Sequence, residues 1–93
     1  MGLEEHRSKV DEIDEKIIRL IDKRIDFSKK IFEAKKSEGK DIEDPVRKSQ
    51  VLRKTTDLAK ELNLDALEIE KIFNILIYMS TQKQKELQGG NQG

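Results

Sequence analysis

The chain has 93 residues, 34% hydrophobic and 41% charged, and so short a domain buries only about 60–65% of the surface its unfolded form exposes, which makes for a thin or shared core. Its 19 basic side chains balance 19 acidic ones and its aromatics are only Phe27, Phe32, Phe73 and Tyr78, which argues against a nucleic-acid face with its basic surface and stacking rings. Without cysteine, with His6 as the single histidine and with no calcium-type carboxylate loop, neither a disulfide framework nor a dedicated metal site is expected.

The N-terminus, MGLEEHRSK, is acidic and polar rather than a signal peptide. No apolar run approaches the roughly 18 residues of a membrane span, so a soluble, cytoplasmic protein is expected. From Arg7 to Lys35 a three-four spacing runs through Arg7, Val10, Asp14, Ile17, Ile21, Arg24, Ser28, Ile31 and Lys35, with Ile13 and Leu20 widening the stripe. No glycine or proline interrupts it, and Glu12/Lys16, Glu15/Arg19 and Asp26/Lys30 are ordered for i,i+4 pairing on the other face. The segment SEGKDIED ends this first helix.

A second helix begins at Asp44, because aspartate is a favoured N-cap and Pro45 at the first helical position lacks only an N–H that would be unpaired anyway. Its apolar positions are Val51, Leu52, Leu58, Ala59 and Leu62. NLDALE restarts the chain, with Asp65 and Glu68 spaced as in a capping box. Ile69, Ile72, Phe73, Leu76, Ile77, Ser80, Gln84 and Leu87 then follow at helical spacing. The fold class is all-α, three helices in one domain over 1–88, with QGGNQG leaving a flexible tail at 89–93.

A helix of about 30 residues is roughly 45 Å long, whereas a compact globule of this size is about 32 Å across. The first helix would overhang its own domain along its whole apolar stripe. An intertwined symmetric homodimer built on paired first helices covers that overhang.

Arg7, Arg24 and Lys35 sit on the apolar stripe, and Ser80 and Gln84 interrupt the stripe of the third helix. Singly, such residues snorkel to water or mark where a helix leaves the core. Together, with Arg47 on the first turn of the second helix, they read as an anion pocket inside a helical bundle: guanidinium forks for carboxylates, a lysine, and amide and hydroxyl donors on the far wall. Arg24 and Lys35 are about 16 Å apart along the axis and can close on one small dianion from its two ends. Arg7 lies about 25 Å from Arg24, so in an antiparallel dimer it enters the partner's pocket. No nucleophile, metal motif or glycine-rich phosphate loop is evident. Such a pocket suits a reaction that redistributes negative charge without proton transfer.

In RSKVDEIDEKIIRLIDKR at 7–24, EAKK at 33–36, DPVRK at 44–48 and STQKQ at 80–84, the chain resembles the all-α chorismate mutases, which rearrange chorismate to prephenate on the route to phenylalanine and tyrosine. The resemblance spans about residues 7–87 and implies an intertwined dimer of three-helix chains. It implies that Arg24 and Arg47 hold substrate carboxylates, with Arg7 from the partner chain. Lys35 and Gln84 would donate to the ether oxygen, Asp44 would lie near the ring hydroxyl, and Ser80 would be a polar wall contact. No cofactor, metal or covalent intermediate is implied. The family pattern Asp-x-x-Arg-Glu is broken at Lys48, where the glutamate would accept the hydrogen bond of the ring hydroxyl. Lysine only donates, so retained binding with weakened or altered positioning is expected.

An isochorismate pyruvate lyase resembles the same fold and has the same kind of cationic pocket. A non-catalytic dimeric binding or regulatory module is the alternative from another class. A plain coiled-coil scaffold would leave Arg24, Lys35, Arg47 and Gln84 buried to no purpose.

Overall fold

The computed structural model describes residues 2–90, and three helices in chain order account for nearly all of them: α1 (Leu3–Glu38), α2 (Pro45–Glu61) and α3 (Ala66–Gly90). No strand occurs among the described residues. The fold is all-α, as the periodicity requires. Helix α3 continues through Gly89 and Gly90, and residues 91–93, the rest of the expected tail, lie outside the described residues.

Each boundary has a local cause. Helix α1 carries Glu4 and Glu5 in its first turn and Lys35 and Lys36 in its last, both signs favourable to the helix dipole. It ends at Gly39, whose φ of 68° is left-handed. The Gly39 N–H reaches the Lys36 carbonyl and the Lys40 N–H the Lys35 carbonyl, the paired bonds of a Schellman motif. Asn63, φ 57°, closes α2 the same way, with Asn63 donating to Lys60 and Leu64 to Ala59. The Asp44 carboxylate caps α2 by accepting the Arg47 N–H at 3.0 Å. Asp65 Oδ1 caps α3 by accepting from Leu67 and Glu68. The reciprocal half of that capping box is absent among the described contacts, because the Glu68 carboxylate is engaged by Lys71 at 3.0 Å.

On α1, Glu15 and Arg19 pair at 2.7 Å as expected. Glu12 takes Lys9 instead of Lys16, and Asp26 takes Lys29 instead of Lys30. The i,i+3 neighbour is as near as the i,i+4 one, and Lys30 stands over the Phe27 ring, 4.8 Å from its centroid. These exposed pairs contribute little to stability.

Helix α3 packs against both α1 and α2, whereas α1 and α2 do not pack on each other. Phe32, Ala59, Ser28 and Gln84 are the buried side chains among the described residues, and two of them are polar. The chain is correspondingly long, 55 × 28 × 16 Å with a radius of gyration of 16.7 Å, against about 12 Å for a compact chain of this length. All of α1 from Leu3 to Leu20 is exposed, including the apolar stripe Val10, Ile13, Ile17 and Leu20. No helix among the described residues is long and apolar enough to cross a membrane.

Candidate active site

The gap between α1 and α2 is a cavity of about 470 Å³ floored by α3. Helical spacing puts Arg24, Ser28, Ile31 and Lys35 on one face of α1, and with Phe27 they form one wall. Arg47, Lys48 and Val51 on the first turns of α2 form the other, joined to the first by Ile42 and Asp44 of the connecting segment. Ile77, Ser80, Thr81 and Gln84 rise from α3.

The cavity carries an excess of cations, with Arg24, Lys35, Arg47 and Lys48 lining it against the one carboxylate of Asp44. Among the described residues, none of Arg24, Lys35, Arg47 or Lys48 forms an ion pair, although eight ion pairs occur elsewhere. Arg24 is half-buried; its Nη1 donates to the Leu76 carbonyl at 3.0 Å and to Ser80 Oγ at 2.5 Å. Burial, and then the nearby Arg47 charge, lower its pKa from the ordinary arginine value. Both causes penalise the bare cation, and a bound anion would relieve them. Ser28 Oγ donates back to the Arg24 carbonyl at 3.1 Å.

Lys35 Nζ donates to the Ile42 carbonyl at 2.5 Å. An ammonium has three N–H bonds, so further donors remain. Gln84 is 5% exposed and its Oε1 is buried without a hydrogen-bond partner. Half a turn of the carboxamide exchanges Oε1 for the Nε2 donor, so Gln84 brings unused hydrogen-bonding capacity to the cavity. Lys48 also lines a neighbouring groove with Glu43, Tyr78 and Lys85.

The structure thus brings together Arg24, Lys35, Asp44, Arg47, Lys48, Ser80 and Gln84 in one cavity. Arg7 is not among them. It stands on the exposed half of α1, paired with Glu4 at 2.9 Å, about 25 Å along the axis from Arg24. Asp44 spends one carboxylate oxygen on the α2 cap. Sequence reasoning passed over Ser28, although its place four residues after Arg24 on the same stripe was the available signal. Ile42 enters through its backbone carbonyl, for which the side-chain pattern holds no signal. Among the described residues no group of three or more His, Cys, Asp or Glu side chains is arranged to hold a metal ion.

The family described as chorismate mutase type II matches residues 6–85. A chorismate mutase of Methanocaldococcus jannaschii is 40% identical over 84 residues, which cover 90% of this chain and 85% of that protein. Two bifunctional chorismate mutase/prephenate dehydratases of Buchnera aphidicola, from the subspecies Schizaphis graminum and Acyrthosiphon pisum, are 35% and 32% identical over 81 residues. Those 81 residues are 87% of this chain and 21% of each bifunctional protein.

Proposed function

The chain belongs to the type II chorismate mutase family, and from that premise we propose that it converts chorismate to prephenate in the cavity between α1 and α2. The supporting observation is the set of four cations, Arg24, Lys35, Arg47 and Lys48, that line one cavity without a carboxylate partner. Such a site suits a small dianion.

The reaction is an intramolecular Claisen rearrangement. One C–O bond breaks, one C–C bond forms, and no atom or proton leaves. Arg24 and Arg47 hold the two carboxylates by charge-assisted hydrogen bonds, which fixes the substrate in its reactive fold. As the ether bond lengthens, negative charge grows on its oxygen. Lys35 Nζ and the Gln84 amide donate to that oxygen, and donors already oriented in a partly dry site stabilise the transition state more than the ground state. Asp44 and Lys48 lie on the ring-hydroxyl side and Ser80 is a polar wall contact.

The same reading includes a homodimer formed by the unit 1–88. The exposed stripe Val10, Ile13, Ile17 and Leu20 supports it, because an apolar face of that length calls for a covering surface. In the dimer the partner's Arg7 completes each cavity as a further carboxylate contact.

The test is the loss of chorismate absorbance on adding purified protein, with the product identified as prephenate and Arg24→Ala alongside. Turnover abolished by that change is expected. A folded protein without turnover would refute the reading.

A further inference from the structure

We propose that the Glu43–Lys85 ion pair is a positioning contact that sets the Lys35 ammonium for reaction, by strapping the α1–α2 connection to α3. The inference rests on the mutase reading of the cavity. The connection, residues 39–44, supplies a wall of that cavity through Ile42 and Asp44, and the Ile42 carbonyl holds Lys35 Nζ. Where Ile42 goes, Lys35 follows.

Few contacts hold the connection. Its ends are fastened by the helix caps, through the Lys40 N–H on the Lys35 carbonyl and the Lys48 N–H on the Asp44 carbonyl. Among the described residues, Asp41, Ile42 and Glu43 make no backbone–backbone hydrogen bond between those ends. The middle is held by the Lys35 bond and by Glu43, whose carboxylate meets Lys85 Nζ at 2.8 Å. The other ion pairs among the described residues join neighbours no more than four apart in sequence. Glu43–Lys85 alone of these ties distant elements together.

Its position suits the role. Lys85 follows Gln84 directly on α3, so the strap anchors the connection one residue along the helix from a group assigned to the ether oxygen, on the side of the neighbouring groove that Glu43, Lys48 and Lys85 line. The Glu43 carboxyl is lowered from its ordinary pKa, first by its hydrogen bond and charge attraction to Lys85 and then by the charges of Lys48 and Lys35.

A simpler role for Glu43 is to temper the positive potential of the pocket, and the two roles differ in sign. Under simple Coulomb attraction, Glu43→Gln removes an anion and lowers KM for the dianion, whereas Lys85→Met removes a cation and raises it. Under the strap, both changes release the same segment and lower kcat together. Exposed ion pairs of this kind contribute modestly, so a fall of about two- to fivefold in kcat is expected for each. Little change in KM should accompany it. Lys85→Arg should retain kcat, and the Glu43→Gln/Lys85→Met double variant should be no worse than either single one. Amide hydrogen exchange at Lys40, Arg47 and Lys48 in the ligand-free variants should quicken, because those bonds close the two ends of the segment.

Opposite KM shifts with kcat unchanged would overturn the strap, as would additive kcat losses. Unchanged exchange in both variants would overturn it independently of turnover. A wild-type chain with no turnover at all would sink the mutase reading, while exchange would still decide whether Glu43–Lys85 holds the segment.

Discussion

Replacing Arg24 by methionine separates the folding role of this residue from its role in the cavity. Methionine keeps most of the apolar stem and its packing on α3 while removing the guanidinium. Two bonds are lost, to the Leu76 carbonyl and to Ser80, and hydrogen bonds from a charged donor contribute roughly 1.5–3 kcal/mol each. Against this, the cation is half-buried and stands near Arg47, and both circumstances disfavour it. The terms oppose one another, so the loss of stability should be smaller than the two bonds alone would give, and each loss of about 1 kcal/mol lowers Tm by roughly 4–8 °C for a domain of this size. Catalysis has no such offset. Truncating one partner of a hydrogen-bonded charge pair costs about 2–5 kcal/mol, which is a fall of about 30- to 5,000-fold in kcat/KM. Initial rates of chorismate loss and a thermal melt on the same preparation measure both quantities. A variant within about tenfold of wild-type kcat/KM would refute the carboxylate role, and a melt that collapses would show Arg24 to be structural.

Lys48→Glu supplies the hydrogen-bond acceptor that the α2 wall lacks, and kcat/KM for chorismate should rise severalfold; no gain would mean that the ring hydroxyl finds its acceptor elsewhere. Arg7→Ala and Arg24→Ala chains should each be inactive. Refolded together at equal amounts they should recover about a quarter of wild-type activity, since half of the dimers are mixed and each mixed dimer has one intact site. Absence of recovery would place Arg7 outside the site. The Glu43 carboxyl is held below its ordinary value of 4.5, so its contribution to stability is present above that pH and is lost as pH falls through the lowered folded value. The difference in urea midpoint between wild type and Glu43→Gln, present at neutral pH, should therefore vanish at the acid end. A difference that persists there would exclude the ion pair as its cause.

Helix identity was legible because apolar periodicity and caps agree along the chain. Asp44 with Pro45 and Asp65 each cap the helix they were expected to start. The cationic cluster was legible for the same reason: Arg24 and Lys35 fall on the stripe that faces α3, and Ser80 and Gln84 on the stripe that faces back. Contacts that depend on loop backbone were not legible. The Ile42 carbonyl on Lys35 and the reach of Glu43 to Lys85 depend on the path of residues 39–44, and no side-chain period fixes that path. Ion-pair partners on exposed helix faces were only partly legible, because the i,i+3 and i,i+4 choices are nearly equal in energy.

The thin core and the cationic cavity have one origin. Three helices of this length could close on themselves by packing α1 against α2, and that would bury the Arg24 and Lys35 face of one on the Arg47 and Lys48 face of the other. Four unpaired cations make that closure costly, since each would have to leave water without a partner. The helices instead stand apart on α3, Phe27 and Ile31 remain exposed beside the gap, and Gln84 keeps an acceptor with no partner at its floor. A dianion between α1 and α2 supplies the missing charge. Ligand binding should therefore stabilise the fold, with Tm rising with chorismate or a stable analogue of it in the wild type and far less in Arg24→Met.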